Sequence, residues 1–316
     1  MALSISVIIP VYNAAQFLEK SVYSVLQFEE VKEILLIEDA STDQSLSVCE
    51  KLISENSRIK LYQHSDKGNH GAGATRNLGL KKAQSEYISF LDADDYYLPN
   101  RFDAEKTLFS KSNIDGVFGA IGVEYLSEKG KKEFQDKFKN TTLTTVNYHA
   151  EGEEVFKGLL SSTPKTFGTF FHLNTLTLRK SALEKHGLKF NEKLRVHQDS
   201  DFIIKLAYVC HLKSGIIDKA IAIRGVHDDN RITKIKPYSK KFYQNNLLLQ
   251  QSLYEWGTTV KLKPEYSKRI RLNYLSFRIA NEHGFRKYFS YFINCIKYPE
   301  LVKTRYRFHA LMNPKI

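Results

Sequence analysis

Four short apolar runs, spaced by segments of helical periodicity, most tightly constrain what this chain can become. "SISVIIPV" (residues 4–11), "EILLIED", "IKLYQH" and "EYISFL" read as buried strands. Between them, "AAQFLEKSVYSVLQ" sets Phe17, Leu18, Val22, Val25 and Leu26 at helical spacing. Residues 43–56 do the same with Leu46, Cys49, Leu52 and Ile53, and "ATRNLGLKKA" supplies a third helix. The order βαβαβαβ calls for a mostly parallel sheet with helices on both faces. Ligands of such sheets gather beyond the carboxyl ends of the strands. Asp39 follows the second strand, the loop "SDKGNHGAG" the third, and Asp92, Asp94 and Asp95 the fourth. They are expected to share one edge. "DGVFGAIGVEYL" reads as one further strand, residues 127–150 show no period, and the chain from Tyr238 onward reads as helices.

The acids that end "YISFLDADD" repel one another and need a reason to gather. A lone Asp-x-Asp is most often a solvated turn. Here it closes a buried strand at a polar edge. If the chain stays extended through Asp92 and Asp94, both side chains lie on one side and can hold one cation. Hard divalent ions take oxygen ligands, and Mg²⁺ or Mn²⁺ commonly joins one or two carboxylates to substrate phosphates. Gly71 and Gly73 let the backbone approach a ligand. The helix N-terminus that follows favours anions, with Arg76 in its first turns. The set is not a dinucleotide fingerprint, because the third glycine and its strand-turn-helix setting are missing.

Charge divides the chain. Residues 233–316 hold 17 Lys+Arg and 4 Asp+Glu of totals of 47 and 35, so the +12 net charge belongs to the C-terminal part. That region also holds 16 of the 39 aromatic residues. A boundary is therefore expected between residues 1–232 and a basic, helical region 233–316. Within "FRKYFSYFINCIK", Phe285, Tyr288, Phe289, Phe292, Ile293 and Ile296 fall on one helical face. That face either packs on the protein or lies on an anionic membrane surface. No nucleic-acid motif accompanies the basic residues. Three scattered cysteines, Cys49, Cys210 and Cys295, suit a reduced cytoplasmic setting and exclude a zinc cage of paired Cys-x-x-Cys. No apolar run is long enough to span a membrane, and the opening residues lack the positive region of a signal peptide.

Taken together, "SVIIPVYNAAQFLEKSVYSVL", "IEDASTD", "GAGATRNLGL", "FLDADD" and "HQDSDF" resemble glycosyltransferase family 2 over roughly residues 4–230. The resemblance implies a GT-A fold, a Rossmann-like mostly parallel sheet flanked by helices, here with a C-terminal helical extension. It implies an inverting enzyme that moves a sugar from a nucleotide-diphosphate sugar, by family habit a UDP-sugar, to a hydroxyl of a glycan or lipid-linked acceptor. The acceptor class points to polysaccharide biosynthesis at the cell envelope, in the cytoplasm or peripherally on the membrane's cytoplasmic face.

Residue by residue, the resemblance implies that Pro10, Val11, Tyr12 and Asn13 line the nucleotide, with Tyr12 against the base or serving only the turn. Asp39 would read the base, and Arg76 would lie near the nucleotide. In "DADD", Asp92 and Ala93 would border the donor, Asp92 through the ribose or a metal-bound water, and Asp94 would bind the metal. His227, in "IRGVHDDN", would be a further metal ligand or merely structural, and its imidazole favours Mn²⁺ over Mg²⁺. Asp199 would be the general base. This sequence departs from the family in two places: Glu38-Asp39-Ala40 stands where two Asp and a Gly are commoner, and Gln198 stands where a Glu usually precedes the base.

Other classes use similar parts. An aspartyl phosphatase wants its Asp-x-Asp on the first strand with Thr or Val after it, and Tyr96 follows here. A nucleotidyltransferase wants a basic, Gly-rich loop after its first strand, and "PVYNAAQF" is not one. A non-catalytic sugar-nucleotide module would not need Asp94 and Asp199 together.

Overall fold

The structure is a computed structural model that describes residues 3–139, 141–168, 170–228 and 234–312. The chain separates into two compact units. One comprises Met1–Arg195 with Phe202–Asp229, the other Val196–Asp201 with Asn230–Ile316. The boundary expected between residues 232 and 233 lies outside the described residues.

The first unit opens as the periodicity requires. Strands β1 (Ile5–Val11), β2 (Val31–Glu38), β3 (Ile59–Gln63) and β4 (Tyr87–Phe90) alternate with helices α1 (Ala15–Leu26), α2 (Ser45–Glu55) and α3 (Ala72–Lys82). β1 pairs in parallel with β2 and β4, and β2 with β3. The order across the sheet is β3-β2-β1-β4, and Val11 stands opposite Glu38, so the ends of β1 and β2 coincide. Leu18, Val22 and Val25 of α1 and Cys49 and Leu52 of α2 are fully buried in a core with Ile5, Val7, Ile9 and Leu36. Burying a side chain of that size stabilises by roughly 1.5–3 kcal/mol.

Beyond β4 the pattern changes. β6 (Gly116–Phe118), β9 (Thr177–Arg179) and β10 (Leu212–Ser214) complete a seven-stranded sheet, with β9 antiparallel between β4 and β6. β5 (Tyr96–Tyr97), β7 (Ala120–Tyr125), β8 (Leu143–Thr144) and β11 (Ala220–Val226) form a second sheet in the order β5-β11-β7-β8. "DGVFGAIGVEYL" is thus two strands in two sheets, not one. The break is at Gly119, where a Cβ would come within 2.7 Å of the Ile216 carbonyl oxygen. The segment without a period contains a helix, α5 (Glu128–Phe138). Of its apolar side chains Phe134 is buried, and the Ser127 side chain caps it by accepting from the Gly130 N–H. One anchor and a cap leave no repeat to read. Helices α4 (Asp103–Leu108), α6 (Glu153–Leu159) and α7 (Lys180–His186) fill the rest, and α8 (Gln198–Val209) has its first turn in the other unit.

The second unit is helical, as expected: α9 (Lys240–Thr259), α10 (Pro264–Ala280), α11 (Gly284–Lys297) and α12 (Thr304–Leu311). Leu272, Leu275 and Ile279 of α10 form a small core with Leu301, Tyr306 and Ala310.

Candidate active site

The polar edge expected at the strand ends exists, and its geometry begins with a turn. Asp95 donates its backbone N–H to the Asp92 carbonyl at 3.0 Å. The chain is therefore not extended through Asp92–Asp94, so strand alternation does not set where the two side chains point. Each meets its own cation or imidazole.

Asp92 meets Arg76. An Arg76 Nη2 lies 2.5 Å from Asp92 Oδ1, and Arg76 is only 7% exposed. Burial alone would raise the Asp92 carboxyl, but the Arg76 guanidinium, then His172 and Arg224, outweigh it and hold it below the usual carboxylate range. Arg76 is no surface residue. Its Nε is buried without a hydrogen-bond partner, a donor that an incoming anion would satisfy. The Phe190 ring lies 5.6 Å from its guanidinium carbon.

Asp94 meets His227, with Oδ2 and Nε2 3.1 Å apart, both groups partly exposed. The Phe17 ring lies 4.6 Å from the His227 ring. Asp95 is turned inward. Its Oδ1 accepts from the Gly225 N–H at 2.9 Å and its Oδ2 from the Asn174 side-chain amide. Burial and the charges of Asp94 and Asp92 push its carboxyl well above the usual range. Ala93 is buried between them.

Asn174 organises the turn: it donates to Asp95 and accepts the Asp92 N–H at 3.1 Å. Behind it, Arg101 and Glu105 are wholly buried and 2.6 Å apart. Arg101 Nε donates to the Asn174 carbonyl and Nη2 to Ser89, while Glu105 accepts from Thr177. Glu105 Oε2 is left buried without a hydrogen bond, while the bonds through Oε1 and Arg101 tie the network to one geometry.

The glycine loop holds a surprise for anion binding. Asp39, 2% exposed, accepts from the His70 N–H at 2.7 Å, the Gly71 N–H at 2.8 Å and Asn69 Nδ2 at 3.1 Å. The His70 and Gly71 amides ahead of α3 are thus engaged by a carboxylate of the chain itself. A carboxylate has about four lone-pair positions, which leaves Oδ1 room for one more donor. Gly71 has φ +83, a conformation other residues resist, and a Cβ there would strike Arg195 Nη1. Arg195 therefore lies against the loop.

At the end of β1, Tyr12 is 41% exposed and free to meet a flat ligand. Asn13 Oδ1 accepts from the Thr42 N–H at 2.8 Å, which ties the turn to the loop after β2. Val11 offers no side chain to the edge, being wholly buried, and its carbonyl accepts the Asp39 N–H; Pro10 is partly buried. Asp199 lies in the first turn of α8, in the other unit, where Oδ1 accepts from the Ser200 N–H at 2.8 Å. Its neighbour Asp201 is fully buried and accepts from Ser252 at 2.7 Å, a bracing role.

Among the described residues, two groupings could hold a divalent ion. Asp92, Asp95 and His172 offer ligand atoms within 4.8 Å of one another. Their hydrogen bonds oppose it: Asp95 has a donor on each oxygen, and His172 Nδ1 accepts from the Asn174 N–H at 3.3 Å. A ligating histidine normally donates from its other nitrogen. Asp94 and His227 fit better, as an oxygen and a nitrogen side by side and partly open to solvent. Sequence reasoning missed His172, Asn174, Arg101, Arg195 and Arg224. Arg195 and Arg224 stood in stretches already singled out, "LRVHQDSDF" and "IRGVHDDN"; Asn174 and Arg101 carried no motif.

The profile of "Glycosyl transferase family 2" matches residues 6–186. An uncharacterized glycosyltransferase of Haemophilus influenzae is 37% identical over 111 residues, 35% of this chain and 44% of that protein. The minor teichoic acid biosynthesis protein GgaA of Bacillus subtilis is 29% identical over 212 residues, 64% of this chain and 42% of that one. The chain spans roughly a third to a half of the length of the curated relatives it matches. Among solved structures, S. aureus TarS 1–349 in complex with UDP-GlcNAc has TM-score 0.62 at 19% identity, covering 96% of this chain and 83% of that one. At that identity the likeness establishes the fold, a GT-A type.

Proposed function

The chain belongs to glycosyltransferase family 2, and from that membership we propose that it transfers a sugar from a UDP-sugar to a hydroxyl of a glycan or lipid-linked acceptor, with inversion. The observation that carries the reading is the pairing at the "DADD" turn: Asp94 on His227 at 3.1 Å, beside Arg76 buried on Asp92. Uridine is favoured because TarS, of the same fold, binds UDP-GlcNAc. A cell-envelope glycan acceptor is favoured by the named role of GgaA. The three cysteines are unpaired, in keeping with a cytoplasmic setting.

Loss of the nucleotide diphosphate leaves extra negative charge, which must be met where it develops. Asp94 and His227 would hold a divalent ion, Mn²⁺ or Mg²⁺, which when bound supplies charge compensation there. Arg76 turns its unpartnered Nε to the diphosphate and keeps Nη2 on Asp92. Asp92, held ionised by Arg76, is left to accept from the ribose or from metal-bound water. Tyr12 lies against the base, Asn13 and Pro10 shape that wall, and the free lone pair of Asp39 accepts the base N–H, a contact worth roughly 1–3 kcal/mol. Asp199, carried over from the resemblance, takes the proton of the acceptor hydroxyl as it attacks opposite the leaving group. One in-line displacement inverts the anomeric carbon without a covalent enzyme intermediate.

Replacing the base tests this directly. Asp199→Asn is expected to abolish transfer and to keep UDP-sugar binding near that of the parent. Full transfer activity in the variant would remove Asp199 from the reaction.

A further inference from the structure

Helix α11 turns its apolar side outward. Phe285 is 82% exposed, Phe292 62% and Ile296 66%, and Tyr288, Phe289 and Ile293 are exposed along the same face. The opposite side is the one that packs. Tyr291 and Cys295 rest on the core built by Leu272, Leu275 and Ile279, and the buried Lys287 donates Nζ to the Met312 carbonyl. The helix is therefore already held by its own unit, and the row of rings is left over. Six large apolar side chains in one exposed row are rarely kept without a partner.

We propose that this row is an in-plane landing surface for an anionic lipid bilayer. Three features select lipid over a second copy of the chain. Residues 284–311 carry five Lys or Arg besides the buried Lys287 and one acid, Glu300, and that acid is paired with Lys268. Two such helices face to face would bring positive rims together, whereas an anionic surface has the complementary sign. The residues in the row are Phe, Tyr and Ile, with Arg286 and Lys297 towards its two ends, the make-up of a helix lying at the headgroup boundary. At 14 residues, about 21 Å, the helix is too short to cross a bilayer and suited to lying on it. No helix among the described residues is long and apolar enough to cross a membrane. The inference does not depend on the transfer reaction.

Flotation of the full chain with vesicles tests it without any activity readout. The chain is expected to float with vesicles of phosphatidylcholine and phosphatidylglycerol, to stay down with phosphatidylcholine alone, and to be released as salt is raised. Phe289→Ser with Phe292→Ser changes two exposed positions, so the melting temperature should hold, while partitioning falls by about tenfold or more for each ring lost. Arg286→Glu with Lys297→Glu keeps the row and should also weaken flotation on the anionic vesicles. Flotation that ignores the ring substitutions, or no flotation of the parent chain, overturns the proposal. So does a parent that elutes as a dimer and a ring variant that elutes as a monomer, which would make the row an interface between copies.

Discussion

The "DADD" turn of the first unit and helix α11 of the second invert the usual arrangement of a protein in opposite ways. The first takes charges inward: Arg101 and Glu105 have essentially no exposure, and Arg76 is covered. The second sends rings outward, with Phe285 the most exposed large apolar residue of the chain among those described. Exposed single apolar residues are ordinary, and so are charges at a surface; a buried charge or a continuous exposed apolar row is not. Each inversion costs stability and has to be held by something else. The turn is held by a buried hydrogen-bond network through Asn174. The helix is held by its other face. Where a fold departs from inside-outside sorting and supports the departure, the departure marks function.

The comparison can be broken at its most expensive point. Arg101→Met leaves the buried Glu105 without its cation, and is expected to lower unfolding free energy by about 3–5 kcal/mol in a denaturant titration. Adding Glu105→Leu should return much of the loss, because the desolvated charge is then gone. If the single variant is as stable as the parent, the buried pair is not what supports the turn.

Next in size is the turn itself. Asp94→Asn keeps shape and removes charge. Transfer should fall by about 10²–10³-fold, some 3–4 kcal/mol of transition-state stabilisation, with melting temperature within a degree or so of the parent. Transfer at the parental rate would take Asp94 out of the site.

A smaller effect separates support from site. Glu33 is buried and bonded to Ser6 Oγ, Lys60 Nζ and the Gln84 N–H, each at 2.6 Å. Burial alone would raise its carboxyl, but these bonds outweigh it and hold it below the usual range. A pKa lower in the folded chain stabilises above the unfolded value, about 4.3, and that stability drains away as pH falls through the folded value. Glu33→Gln should cost about 1–3 kcal/mol near neutral pH and flatten the acid limb of the stability–pH curve. An unchanged acid limb would show that Glu33 does not titrate differently on folding.

The smallest effect sharpens the comparison from the backbone. Ala40 has φ +59 directly after Asp39. A Gly there removes the Cβ clash, and Ala40→Gly should add about 0.5–1 kcal/mol. A loss of stability would mean that the Ala40 methyl makes contacts worth more than the strain.

Much of the first unit could be read ahead of its structure, because β1 to β4 and α1 to α3 carry strong periods and are connected in order. The same regularity put Asp39, Arg76 and the acids at one edge. What could not be read depends on neighbours far away in sequence. The turn at Asp92–Asp95 is set by Asn174 and Gly225, 79 and 130 residues from Asp95, and no local pattern foretells it. The strand breaks at Gly119, whose neighbours Ile216 and Ile221 lie about 100 residues on and leave no room for a side chain. The amphipathic spacing of α11 was plain, but spacing gives the face and not its direction. Which side packs was decided by Lys287, Tyr291 and Cys295, and these do not form the apolar row.

Calorimetric titration of UDP, with and without Mn²⁺, into the parent and into Asp94→Asn most directly tests whether the "DADD" turn captures a nucleotide diphosphate with a cation. The parent is expected to bind UDP about tenfold or more tightly with Mn²⁺ than without it, and Asp94→Asn to lose that difference. No heat from UDP under either condition, or the same Mn²⁺ dependence in the variant, would contradict it.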